Sequence, residues 1–191
     1  MELLGKNSVA SFLRKTLTVI WWLGIVLIGL FLVLSIGFLI LGKPAGMQLP
    51  PFALNTDYIR VEFSRSVIKE PKTLILAFLP FGAAMLGLGM GILFQLRKIF
   101  DTLAAGNPFV LENAMRIRKI AGFIFGGVFV QFVAGTVIGQ LIMANVAVDG
   151  IAFILKGSLR LKEIFLGLVM LILAEIFRQG ALLKEEQDLT I

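Results

Sequence analysis

From Leu17 to Gly42 the chain carries no charged side chain, and the same holds from Thr73 to Leu96 and from Ile120 to Val148. A helix of about 20 apolar residues crosses the ~30 Å hydrocarbon layer of a bilayer. Each run is long enough to do so. A fourth run is weaker: Ile164 to Ala174 is clean, and Glu175 and Arg178 then interrupt it. Extended from Ser158 to Arg178, it too reaches the required length. The expected fold is therefore an all-α membrane protein. Its four-transmembrane-helix bundle would use helices near 17–42, 73–96, 120–143 and 158–183, in a single membrane domain over 1–191. Composition agrees, since 58% of residues are hydrophobic and 16% charged, where soluble domains are about a quarter charged. The first run is far longer than the apolar core of a signal peptide and lacks a small-residue cleavage pattern, so it is read as a retained helix.

Four spans put both termini on one side. Arg14 and Lys15 precede the first span, Arg97, Lys98, Arg116, Arg118 and Lys119 lie in the second connection, and Arg178 and Lys184 follow the fourth span. These charges sit in short segments tight against helix ends, where the positive-inside rule applies most strongly. The reading is a multi-pass protein of a bacterial inner membrane with both termini cytoplasmic. The formal net charge of +6 is then explained by anionic lipid headgroups, and no direct nucleic-acid binding is expected.

The outer segments, 43–72 and 144–157, have a different pattern. Ile59, Val61 and Phe63 alternate with Tyr58, Arg60 and Glu62, the period of a half-buried strand. Asp149-Gly150 between β-favouring residues is a hairpin signal. Two readings stand. One is a small extracytoplasmic β-cap; the other is that Val146 to Leu155 frays from the third helix.

Within lipid, helices associate through close packing, which small residues permit. Ala83, Gly87 and Gly91 are spaced by four, as are Gly122 and Gly126, and Gly135 and Gly139. These are the expected helix-packing positions. Gln131 lies mid-span on the stripe of Gly127 and Gly135. It is either hydrogen-bonding glue between helices or part of a polar path. Glu175 is an intramembrane carboxylate with Arg178 three residues on, neighbours on a helix. The pair either anchors the helix end or belongs to a proton relay.

Between the second and third runs lies RKIFDTLAAGNPFVLENAMRIRKIAG, with five basic residues against Asp101 and Glu112. The pattern predicts that the second helix continues past Arg97 and stops at Gly106 as C′. Asn107 and Pro108 then suit the N-cap and first position of the next helix. The segment 97–119 is thus a cytoplasmic helical hairpin extension of the bundle. The tail 184–191 is acidic, with Glu185, Glu186 and Asp188 against Lys184. Hairpin and tail share one side, and their opposite charges favour one platform. Expected partner-binding residues are Phe109, Asn113, Arg116, Arg118, Glu185, Glu186 and Asp188.

GNPFVLENAMRIRKIA and LAEIFRQGALLKEEQDLTI resemble the two motifs of a bacterial four-helix membrane family known as domain of unknown function 2975. The likeness rests on Gly106, Pro108, Phe109, Glu112, Asn113, Arg116 and Arg118, then on Phe177, Arg178, Gly180, Glu185, Glu186, Asp188 and Leu189. It implies no biochemical activity. It does imply company: members are often encoded beside a small helix-turn-helix DNA-binding regulator.

The chain has no Cys and no His. That excludes thiolate nucleophiles, Cys/His zinc sites and haem held by His or Cys. No nucleophile–base pair, metal cluster or phosphate loop is visible, so no catalytic residue, metal or cofactor is expected. The expected function is docking or sensing: a cytoplasmic face that holds a small helix-turn-helix transcription regulator. The alternative is a small transporter or channel subunit using Glu175 and Gln131. A structural or assembly subunit is a third possibility.

Overall fold

The computed structural model describes residues 9–41, 48–49, 52–55, 59–63, 66–68, 71–147, 154–155 and 160–189. Four long helices dominate: α1 (Val9–Leu41), α2 (Pro71–Ala104), α3 (Leu111–Asn145) and α4 (Leu161–Leu189). All four contain stretches long and apolar enough to cross a membrane. On α1, large side chains such as Trp22, Val26 and Val33 are exposed. Lipid tails are the solvent that makes such exposure favourable.

The helices overrun the expected spans. α1 begins at Val9, so Arg14 and Lys15 lie inside it. α2 runs on to Ala104 and α3 starts at Leu111, so the hairpin is the continuation of two helices. The tail is no loose appendage: α4 continues to Leu189. Leu, Lys, Glu and Gln are all good helix formers, and neither Gly nor Pro follows Gly180 to stop them.

Among the described residues, six short strands lie between helices: β1 (Gln48–Leu49), β2 (Phe52–Asn55), β3 (Ile59–Phe63), β4 (Ser66–Ile68), β5 (Val146–Ala147) and β6 (Ile154–Leu155). β3 coincides with the alternating segment. β2 and β3 form an antiparallel hairpin with Phe52 opposite Phe63 and Leu54 opposite Val61. The expected hairpin within Val146–Leu155 does not pair with itself. β5 pairs with β4, and β6 with β3. Two-residue strands gain more by extending an existing ladder than by closing alone. Asp149 and Gly150 lie outside the described residues.

The chain forms two compact units. One comprises 1–28, 86–128 and 161–191, the other 29–85 and 129–160. The second contains the strands. The first holds an apolar core of Ile99, Ile117, Ile120 and Ala174, with Ile92, Leu96, Leu103, Ile124, Met170 and Phe177 packed on it. Thus residues 92–103 of α2, 117–124 of α3 and 170–177 of α4 meet around isoleucines at helical spacing.

Several glycines serve here as seats for side chains from elsewhere in the chain. A Cβ on Gly91 would lie 2.9 Å from the Phe123 ring, and one on Gly167 would lie 2.7 Å from the Phe125 ring. One on Gly24 would meet Met90 Sδ at 2.5 Å, and one on Gly82 would meet Phe31 at 3.0 Å. Gly126 meets Leu88 at an ordinary 3.5 Å. Gly139 is buried and Gly135 half-buried. Three expected packing positions need correction. Ala83, Gly87 and Gly122 are exposed, and nothing lies within 4 Å of a Cβ on Gly87 or Gly122. Spacing by four places residues on one face; it does not say that a neighbour covers that face.

Candidate functional site

The turn between α2 and α3 is built by a Schellman motif. Gly106 has φ 81°, a left-handed conformation that favours glycine. Its N–H donates to Leu103 O at 3.1 Å, and the Asn107 N–H donates to Thr102 O at 3.0 Å. These bonds satisfy the last carbonyls of α2. The expected stop at Gly106 is therefore in place. The expected restart is not: Asn107 and Pro108 lie in the connection, and α3 begins at Leu111. The physical reason is that the Asn107 N–H closes the helix behind it. The first bond of the new turn runs instead from the Asn113 N–H to Val110 O, at 3.0 Å.

Asn113 locks this turn. It is 0% exposed. Its Nδ2 donates to Thr102 Oγ1 at 2.7 Å and to Pro108 O at 2.9 Å, while its Oδ1 accepts from Arg116 Nη1 at 2.8 Å. The same Nη1 donates to Lys98 O at 2.9 Å. The Thr102 hydroxyl donates to Ile99 O at 2.7 Å. One amide thus ties α2, the connection and α3 together, with its donors and acceptor engaged, as a buried polar group requires. Asn113 was expected at a partner surface. Its burial corrects that expectation, because it presents no free group to a partner. Arg116 is half-buried and bonded into the same network, so it is not the partner of the tail acids.

Phe109 reaches from the connection to α4. Its ring centroid lies 5.6 Å from that of Phe177, tilted by 41°. A Cβ on Gly180 would lie 2.7 Å from Phe109 Cδ1. The ring therefore occupies a seat that exists because position 180 has no side chain. One face of Phe109 remains open, at 43% exposure. A turn further along α4, Lys184 Nζ donates to Asn107 Oδ1 at 3.2 Å. On the other side of the turn, Arg14 Nε pairs with Asp101 Oδ1 at 2.7 Å.

These contacts leave a groove of about 350 Å³ between the start of α3 and the end of α4. Phe109, Val110, Leu111, Ala181 and Leu189 supply apolar walls, and Glu112, Lys184, Glu185 and Asp188 supply the polar ones. Of the residues expected to bind a partner, Phe109, Glu185 and Asp188 come together here. Glu186 and Arg118 are exposed but do not line the groove. Sequence reasoning missed Glu112 and Leu189 as site residues, although both carry the motif resemblance. It also missed Gly180 as the seat of Phe109.

Glu175 is engaged within its own helix. Arg178 Nη2 meets Glu175 Oε1 at 2.6 Å, its Nε lies 3.0 Å from Oε2, and Gln179 also donates to Oε1 at 3.2 Å. The Glu175–Arg178 pair expected from their spacing is thus present. Gln131 is half-buried and falls in the unit that contains the strands, whereas Glu175 falls in the other. The more deeply buried amide is Gln95 of α2, at 8% exposure. It stands one turn from Ile92 and Ile99 of the apolar core, a spacing that could have identified it.

A family model described as protein of unknown function (DUF2975) matches residues 10–191. No curated protein and no solved structure matches the chain. The match covers nearly the whole chain, and the chain belongs to this family.

Proposed function

We propose that this family member is a multi-pass protein of a bacterial inner membrane whose turn-and-tail end docks a cytoplasmic partner, a small helix-turn-helix transcription regulator. One observation carries the reading. The two segments with the motif resemblance pack on each other through Phe109, Phe177 and Gly180 and through Lys184 and Asn107. The groove they leave is lined by apolar and charged residues together. Neither feature is needed to cross a bilayer. Charged residues avoid the hydrocarbon, so Glu185, Glu186 and Asp188 place this end in water. The basic residues at the ends of the spans support a cytoplasmic location for this end.

Two measurements test this. Labels in the Gly106–Asn107 turn and after Ile191 should both be protected in intact cells, while a label near Asn55 should be accessible. Surface labelling of the turn would reverse the orientation. Second, removing Lys184–Ile191 should leave an inserted protein that no longer captures the regulator from membranes and misregulates the genes that the regulator controls. Unchanged capture by the truncated chain would reduce the end of α4 to a solubilising segment.

A further inference from the structure

We propose that the groove between α3 and α4 receives one large apolar side chain from a cationic amphipathic helix. The basic residues flanking that anchor would meet Glu112 on one side and Glu185 and Asp188 on the other. The inference rests on the reading that this face docks a partner, and adds the chemistry of what it holds.

Size comes first. At about 350 Å³, the space is near the lower end of the ~300–1,000 Å³ range of ligand sites. It suits a side chain or two, not a folded element. Five of its lining residues are apolar, and one of them is unusually bare: Leu189 is 81% exposed, beside the open faces of Phe109 and Leu111. An apolar occupant would remove that surface from water.

Charge decides the rest. Glu112 stands in the first turn of α3 and Glu185 and Asp188 in the last turns of α4, so carboxylates flank the apolar space from both helices. None of the three makes a hydrogen bond or ion pair among the described residues. The one lysine of the groove, Lys184, is directed to Asn107 Oδ1. The lining is therefore net negative. It repels nucleic acid and anionic headgroups, which seek basic surfaces. No group of three or more carboxylates is close enough to hold a metal ion among the described residues. An apolar anchor with basic residues three or four positions to either side meets both requirements, and a helix displays such residues on one face.

The test uses the full chain in nanodiscs of zwitterionic lipid. The probe is a fluorescent Ala/Lys helix with a single central Leu, followed by anisotropy. Binding should weaken as salt rises. A probe with Ser for Leu, and one with Glu for Lys, should each bind at least about tenfold more weakly, equivalent to ~1.4 kcal/mol. Leu189→Ser alters an exposed side chain and should abolish the preference for the Leu probe over the Ser probe. The pair Glu185→Lys and Asp188→Lys should abolish dependence on probe charge. Both variants should keep the wild-type melting point. Equal binding of the Leu and Ser probes, or of the Lys and Glu probes, would overturn the proposal. So would binding to anionic vesicles in place of the probe. Probe binding without capture of a regulator would support the groove chemistry and remove the regulator as its partner. Capture of a regulator undiminished by the groove variants would overturn the groove and leave docking in place.

Discussion

Asn113→Ala should lower the midpoint of thermal unfolding in detergent by more than any other single change in the turn. The amide is fully buried and supplies hydrogen bonds to Thr102, Pro108 and Arg116 at once. Truncation removes one bond each from Thr102, Pro108 O and Arg116, although Thr102 and Arg116 keep their bonds to Ile99 O and Lys98 O. Each buried polar group so stranded costs about 1–3 kcal/mol. Three such losses at the lower end of that range total about 3 kcal/mol, and for a chain of this size that corresponds to roughly 6–12 °C. Asn113→Asp keeps an acceptor for Arg116 but loses the donors to Thr102 and Pro108, so it should fall between Ala and the natural chain. Far-ultraviolet circular dichroism during heating reads both. If the Ala variant melts with the natural protein, the amide is a passenger in the turn.

Gly180→Leu should cost nearly as much and should also remove the groove. A Cβ at this position already comes within 2.7 Å of Phe109 Cδ1, and that atom belongs to the ring body. The ring must leave its seat, which separates it from Phe177 and takes away one apolar wall. Overpacking of this kind costs about 1–3 kcal/mol. Binding of the Leu-bearing probe helix should fall to the level of the Ser-bearing one. Gly87→Leu is the comparison, because nothing lies within 4 Å of a Cβ there. It should melt almost with the natural protein. Equal losses at the two positions would mean that the seat has no special cost.

The spans were legible because apolar length is a property of consecutive residues, and the bilayer selects on it directly. Gly106 was legible for a similar reason: a local backbone geometry requires a residue without Cβ. What failed depended on residues distant in sequence. Asn113 looked like a surface polar residue, because its burial is set by Thr102, eleven positions back. Gly87 and Gly122 shared a spacing with true contacts, yet whether a helix covers them is decided by another helix. Gly24, Gly167 and Gly180 had no spacing to mark them; each is defined by a side chain elsewhere that rests on it. The groove was half legible. Its acids were visible as a charge pattern, whereas its walls required knowing that α4 continues unbroken to Leu189.

The seat of Phe109 on Gly180 also limits how such a chain can drift over generations. The contact fixes the combined volume of two positions, so their substitutions are coupled rather than additive. A methyl gained at 180 is tolerable only if volume has already been lost at 109. The order matters: shrinking the ring first leaves a shallow void, since that ring is already partly open to solvent, while growing the glycine first creates an overlap. Descendants of this chain should therefore reach a larger residue at 180 by way of a smaller one at 109.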